Sequence, residues 1–326
     1  MSAPNAAEPG PEGILRARPP GPEGPGVPAA GRVRRRRPWT FHLLGYALVA
    51  PLGLLMLAVI GYPLINTVLL SLQNQGVVGS ESTFVGIDNY RQALSDSAFW
   101  GSIGRSGIWL FGNLLVQTLM AFGTALIIGG RSRWSRASRT WVLFPWVIPT
   151  VAVAVIWQWL SNSNYGIVPK IASAVGIDGL GSPFGDSALA LPALILMNSW
   201  HWFPLGAVVI FGALQTIPNE IYEAARVDGA NAWGIFWRIT FPLLQPVLFA
   251  LGLVGSLWSF NIVDSIYLVT KGGPVDASMT APVFIYNKAF AQFQASDAAA
   301  VSVVTIILLA AVAAVYIRAA RPKEDQ

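Results

Sequence analysis

The chain contains no cysteine, which excludes disulfides, thiolate metal sites and a thiol nucleophile. Histidine is almost as scarce, with only His42 and His201 in 326 residues, too few for a histidine metal cluster. Charge is the third shortage. Only 11% of the residues are Asp, Glu, Lys or Arg, against roughly 25% in a soluble globular chain. Two motifs are missing as well. No G-x-x-x-x-G-K-[ST] stretch occurs, so the chain does not hold ATP through a P-loop. No G-x-S-x-G elbow occurs either, which removes one common setting for a nucleophilic serine.

Long apolar runs take the place of these groups. The stretches Pro38–Ser80, Ser106–Gly130, Thr140–Pro169, Ser187–Asn219, Ile239–Val263 and Ala298–Ile317 carry none of the four charged residue types. A membrane-spanning helix needs about 20 mostly apolar residues. The pattern therefore predicts an all-α polytopic membrane protein with six transmembrane helices, near Phe41–Leu72, Phe99–Ile128, Arg139–Ser161, Ala188–Thr216, Leu243–Thr270 and Ala298–Ile317. Proline and glycine within the first span, at Pro51, Gly61 and Pro63, imply a bend there.

The formal charge of +5 could point to nucleic acid, but its placement points elsewhere. Arg32 and Arg34 to Arg37 precede the first span, Arg131, Arg133, Arg136 and Arg139 separate the second from the third, and Arg226 and Arg238 the fourth from the fifth. Arg318, Arg321 and Lys323 follow the last, while the alternate loops hold only Arg91, Lys170, Lys271 and Lys288. Lys and Arg mark cytoplasmic loops, so both termini are expected in the cytoplasm and no nucleic-acid partner is expected. Three regions follow. Residues 1–37 form a Pro-, Gly- and Ala-rich tail expected to be disordered. Residues 38–320 form the membrane domain, and 321–326 a second cytoplasmic tail.

The stretch "EAARVDGANAWGIFWRITFP" (Glu223–Pro242) places charge between two apolar runs. Pro218 suits the start of a helix, and Glu220 and Glu223 favour its positive end. Gly229 after Asp228 stops it, and Asn231 caps a second short helix. The reading is a helix–turn–helix across the cytoplasmic surface. Ile221, Ala224 and Ala225 are expected to share a face, which either meets another protein or packs on the chain's own bundle.

Glu223-Ala224-Ala225, Gly229 after three residues, and Ile239 with Phe241-Pro242 after nine more resemble the E-A-A-x3-G-x9-I-x-L-P signature of ABC importer permeases, with Phe241 in place of leucine. "FVGIDNY", "PTVAVAVIWQWL", "NSWHWFP" and "LVTKGGP" are similar to the carbohydrate-uptake group of that family, and the similarity runs from about Phe41 to Arg318. The resemblance implies a MetI-like permease fold and a non-catalytic subunit of an ATP-driven sugar importer in a bacterial cell membrane. It implies a coupling helix within 218–240, with Glu223, Ala224, Ala225, Asp228 and Gly229 docking on an ATPase subunit. It implies as partners a second homologous permease, an ATPase dimer, an extracytoplasmic solute-binding protein, a sugar and membrane lipid. No cofactor is expected in this chain, since ATP and Mg belong to the ATPase. By the same resemblance Trp146, Thr150, Asn198, Trp202 and Ser259 match a sugar path. Trp202 and Gly255 depart from the maltose-type pattern, so the sugar need not be maltose.

Alternatives stay open at several of these residues. Asn198 could bond between helices, and Trp146 and Trp202 could pack or anchor at the interface. Asp264 could bind substrate or pair with the second permease. Two other classes suit a hydrophobic chain of this kind. A secondary transporter usually carries an ionisable relay within its spans, and here Asp264 in the fifth span and Arg105 near the outer end of the second do not make one. A membrane-embedded glycosyltransferase-type enzyme needs an acidic constellation that the loops do not display.

Overall fold

The computed structural model describes residues 40–74, 82–129, 140–177 and 181–320. The expected tails at 1–37 and 321–326 lie outside these residues, as does the basic segment 131–139. Among the described residues, five helical runs are long and apolar enough to cross a membrane: Tyr46–Ser71, Ser97–Gly129, Ala190–Gln215, Ala232–Phe260 and Ala295–Arg318. The expected third span is instead a broken segment whose apolar helix is Thr150–Leu160.

The chain divides after Met56 into two compact units. The first contributes helix α1 (Thr40–Met56), with Pro51 inside it. The second begins with a π-helical turn, Leu57–Gly61, and α2 (Tyr62–Ser71). A two-residue antiparallel pair, Gln73–Asn74 with Thr83–Phe84, leads into α3 (Asp88–Ser95). Asn89 fixes α3 to the end of α2, since its amide donates to the carbonyls of Ser71 and Gln73 at 2.9 and 2.8 Å.

The long helix α4 (Ser97–Gly129) has 33 residues and is therefore about 50 Å long. Next come α5 (Phe144–Val147) and α6 (Thr150–Leu160), then α7 (Ile167–Ala174). Ile167, Ile171 and Val175 are all exposed along α7, the apolar face expected of a helix lying at the interface. Helix α8 (Ala190–Gln215) is the partner of α4. Gly112 lies against Ile195 and Gly206 against Ala121; the numbers rise together, so the two helices run parallel. A parallel pair needs a return crossing between its members, and residues 140–160 supply it in two pieces.

The break between α5 and α6 follows from Pro149. A residue preceding proline is pushed out of the helical region, and Ile148 is extended with ψ 130°. Its freed carbonyl accepts a hydrogen bond from His201 Nε2 at 3.0 Å. His201 is buried in α8, so it closes the gap as membrane bundles require.

After α8 come α9 (Asn219–Val227) and α10 (Ala232–Ile235). A π turn, Phe236–Thr240, then joins α10 directly to α11 (Phe241–Phe260). This corrects the sequence reading, in which a second short surface helix preceded a fifth span beginning near Leu243. Proline offers no N–H to the carbonyl four residues back. The wider π turn accommodates it, with the Phe241 N–H bonding the Phe236 carbonyl, and the helix continues. The turn before Pro63 has the same pattern.

The far end of this span also differs from expectation. The helix stops at Phe260 rather than running to Thr270, and α12 (Asp264–Val269) starts anew. Asn261 ends it by donating its side-chain amide to the Leu257 carbonyl at 2.8 Å. Trp109 Nε1 donates to the Ser259 carbonyl at 2.8 Å, and Gln158 donates to the Leu268 and Val269 carbonyls. Helix α11 runs antiparallel to α4, because Leu114 faces Gly252 and Phe122 faces Phe236. The chain closes with α13 (Ala281–Tyr286), a third π turn at Asn287–Ala291, and α14 (Ala295–Ala320).

The α4–α8 contact is built on small residues: Ala121, Ala125 and Ala207 are buried there with Ile210. Such residues let backbones approach closely where lipid removes the usual hydrophobic drive. A Cβ on Gly112 would meet Ile195 Cδ1 at 2.7 Å. Replacing Gly112 by Val should therefore destabilise the bundle by about 1–3 kcal/mol through overpacking. Thermal unfolding in detergent would measure the loss. A second change, Ile195→Ala, should restore most of it, and equal stability of Gly112→Val and the native chain would disprove the close approach.

Candidate functional site: an exposed helix and a membrane cavity

Two regions hold the residues singled out in the sequence. The first is α9 and its turn. The Gly229 N–H bonds the Arg226 carbonyl at 3.0 Å and the Ala230 N–H bonds the Ala225 carbonyl at 2.9 Å. Together these form a Schellman stop, and Gly229 takes the required left-handed φ of 76°. Asn231 then caps α10, its Oδ1 accepting the Gly234 N–H at 2.8 Å. Both turn residues therefore act as their types imply.

Glu223, Ala224, Asp228 and Gly229 are exposed, but Ala225 is buried. The shared face expected for Ile221, Ala224 and Ala225 is thus divided. Ile221 and Ala224 face outward, whereas Ala225 faces the rest of its own chain at the point where the Schellman turn folds back. Among the described residues neither Glu220 nor Glu223 takes part in an ion pair. Val227 and Trp233 are exposed beside them. The result is a rigid, partly apolar surface with free carboxylates.

The second region is a cavity of about 370 Å³ between α4, α8 and α11. Trp202, Ser259 and Asp264 line it, and so do four polar residues that sequence reasoning did not select: Gln117, Thr118, Ser256 and Asn261. Trp202 and Trp258 form an aromatic wall, with ring centroids 5.7 Å apart. Asp264 is the one ionisable residue in the lining. Its Oδ1 accepts the Ser265 N–H at 2.9 Å, which fixes the carboxylate at the first turn of α12. The buried Trp202 Nε1 has no hydrogen-bond partner among the described residues, a condition that costs about 1–3 kcal/mol.

The remaining three expected residues do not line this cavity. Trp146 is exposed on α5, and Thr150 is half-buried at the start of α6. Asn198 is buried, its amide donating to Asn113 Oδ1 at 2.7 Å while its own Oδ1 accepts from Ser265 Oγ at 3.5 Å. Asn113 Oδ1 also receives Gln117 Nε2 at 3.2 Å and Ser199 Oγ at 3.3 Å. Asn198 thus sits behind the wall, in a polar hub joining α4, α8 and α12. Gln117 was legible in principle, lying one turn after Asn113 in the charge-free part of α4.

Comparison with known proteins identifies the fold and the family. The all-α architecture is that of an ABC importer permease. A bacterial ABC transporter that imports the acidic polysaccharide alginate contains a chain of the same fold, with a TM-score of 0.70 at 20% identity over 88% of this chain and 98% of that one. Residues 117–322 match the binding-protein-dependent transport system inner membrane components, and the chain belongs to that family of membrane transport subunits, which are not catalytic enzymes. It is 31% identical over 288 residues to a trehalose/maltose transport system permease protein of Thermococcus litoralis, covering 86% of this chain and 95% of the relative. It is 28% identical over 289 residues to a diacetylchitobiose uptake system permease protein of Streptomyces coelicolor, covering 87% and 88%.

The polar hub gives a test of its own. Replacing Asn113 by Leu removes the acceptor shared by three donors. The expected cost is about 1–2 kcal/mol, since hydrogen bonds inside membranes are individually modest. A lower unfolding midpoint in detergent, with the helical circular dichroism of the folded state retained, is the expected result. An unchanged midpoint would show that the hub carries no stability.

Proposed function

We infer that this chain forms half of the translocation path of an ATP-driven sugar importer and receives the motion of an ATPase through α9. A single observation carries the reading. The exposed α9 is joined by a rigid turn to a helix that continues from Ala232 to Phe260, and residues 248–259 of that helix wall the cavity. A push on α9 is therefore delivered to the cavity along one continuous rod. Glu223 and Ala224 offer the docking surface, with Asp228 and Gly229 setting its angle and Ala225 supporting it from behind. ATP and Mg belong to the ATPase in this scheme.

A second homologous permease encloses the other side of the cavity, and a solute-binding protein delivers the cargo. One solved transporter of this fold is in complex with an alginate pentasaccharide-bound periplasmic protein, which supports that partner. The sugar class draws support from the relatives named for trehalose/maltose and diacetylchitobiose, and from the cavity itself. Aromatic rings at Trp202 and Trp258 present flat faces to sugar C–H surfaces. Ser256, Ser259 and Asn261 offer hydrogen bonds to hydroxyl groups. The distribution of basic residues supports a cytoplasmic location for α9 and both termini.

The absence of cysteine makes the docking test clean. A single Ala224→Cys change, introduced in the assembled complex, should crosslink to a cysteine placed in the ATPase cleft. Glu223→Ala should leave the chain in the membrane and lower sugar-stimulated ATP hydrolysis at least 10-fold, in line with the several kcal/mol that breaking one side of an interfacial charge pair costs. Normal coupling in Glu223→Ala together with no crosslink at position 224 would refute the docking role.

A further inference from the structure

A second group of aromatic residues lies beyond the cavity, at the end of the bundle opposite α9. Tyr267 of α12 and Tyr286 of α13 have ring centroids 4.6 Å apart, and Tyr286 and Phe290 4.9 Å. We propose that Tyr267, Tyr286 and Phe290 form an outer saccharide subsite, an aromatic ladder that holds a sugar ring between its release from the binding protein and its arrival in the cavity. The proposal rests on the sugar-importer reading above and adds a site to it.

Four features point to this ligand. The ladder adjoins the cavity: Tyr267 follows Asp264 by three residues on the same face of α12, and Asp264 lines the cavity. Its outer end is accessible, since Tyr267 and Tyr286 are half-buried and Phe290 is exposed. Neither tyrosine hydroxyl is bonded within the described residues, so each presents a donor and an acceptor beside an aromatic face, the pairing that a sugar with C–H surfaces and hydroxyls requires.

The fourth feature is the backbone that holds Phe290. It lies in the π turn Asn287–Ala291, a distortion that clusters at functional sites and that sets Phe290 one widened turn from Tyr286. Lys288, the cation within that turn, is directed elsewhere, reaching Asp96 at 4.0 Å and the Phe284 ring at 5.3 Å. The three rings themselves offer stacking and, through the two tyrosines, neutral hydrogen bonds. Aromatic residues also anchor membrane proteins at the lipid interface, and that role would not require a place beside the cavity.

The test uses the complete importer, with its binding protein and ATPase, reconstituted in liposomes and supplied with radiolabelled trehalose, maltose and diacetylchitobiose. The readout is sugar imported per ATP hydrolysed. Tyr286→Ala and Phe290→Ala should each lower that ratio about 3- to 10-fold, the weight of one lost aromatic contact, with ATP hydrolysis unchanged. Tyr286→Trp and Phe290→Trp should retain it. Phe290 is exposed, so its replacement leaves the packed core intact. A ratio equal to the native one in both Ala variants overturns the subsite, including the case in which only incorporation into liposomes falls, which would identify a lipid anchor. If the native complex imports neither these three sugars nor any saccharide that its binding protein retains, the sugar-importer reading fails and the subsite fails with it.

Discussion

One side-chain oxygen holds the centre of this bundle together. Asn113 Oδ1 accepts from Asn198, Gln117 and Ser199, while Asn113 donates to the Trp109 carbonyl at 2.8 Å. Helices in lipid gain little from burying apolar surface, because the alternative is also apolar. Small residues allow α4 and α8 to approach, but smooth faces permit sliding. A buried amide does not, since a displaced donor in hydrocarbon would lack a partner. The hub therefore sets the register in which Gly112 meets Ile195 and Gly206 meets Ala121. The positions of α11 and α12 follow from the same axis, through Trp109 on the Ser259 carbonyl and Asn198 on Ser265.

The interruptions in the spans obey the same accounting. Each break leaves backbone groups that cannot be exposed to lipid, and side chains from neighbouring helices take them up. His201 takes the Ile148 carbonyl, Gln158 takes the last carbonyls of α12, and Ser106 Oγ accepts the Ala281 N–H at 2.8 Å. These polar residues hold the bundle's irregular parts in place. Asn198 belongs with them: its position in a conspicuous aromatic motif suits a cargo contact, but its bonds join helices.

Much of this was legible in the chain. The apolar runs locate the spans, because length and charge-free composition are what a bilayer demands. Gly229 and Asn231 read correctly because a left-handed stop and a side-chain cap are local events. Two kinds of feature were not legible. Continuity through Pro242 depends on a π turn, which has no composition signal distinct from a break. The ending of α11 at Phe260 depends on Trp109 and Asn261 offering better partners than the next helical turn, a tertiary matter. The polar lining at Gln117, Thr118 and Ser256 was missed for a related reason. An isolated polar residue in a span reads equally as lining or as interhelical bond, and only the packing decides.

The location of the cavity beside a broken span has a physical reason. A continuous apolar helix offers a sugar nothing but side-chain methyls, and adding charge along its length would oppose insertion. Ending α11 and restarting at α12 puts Asn261 and Asp264 at a helix junction, where backbone dipoles are already unpaired along the axis and membrane transporters commonly place binding groups. The carboxylate at the first turn of α12 is favoured by the positive end of that helix, so polarity is gained with a single ionisable residue. Helix α11 reaches toward the opposite surface and is continuous with α10 through the π turn at Phe236–Thr240. Thus the polar end of the rod touches the cavity and the charged end lies beside α9. A motion imposed at one end changes the cavity wall at the other without crossing any loop.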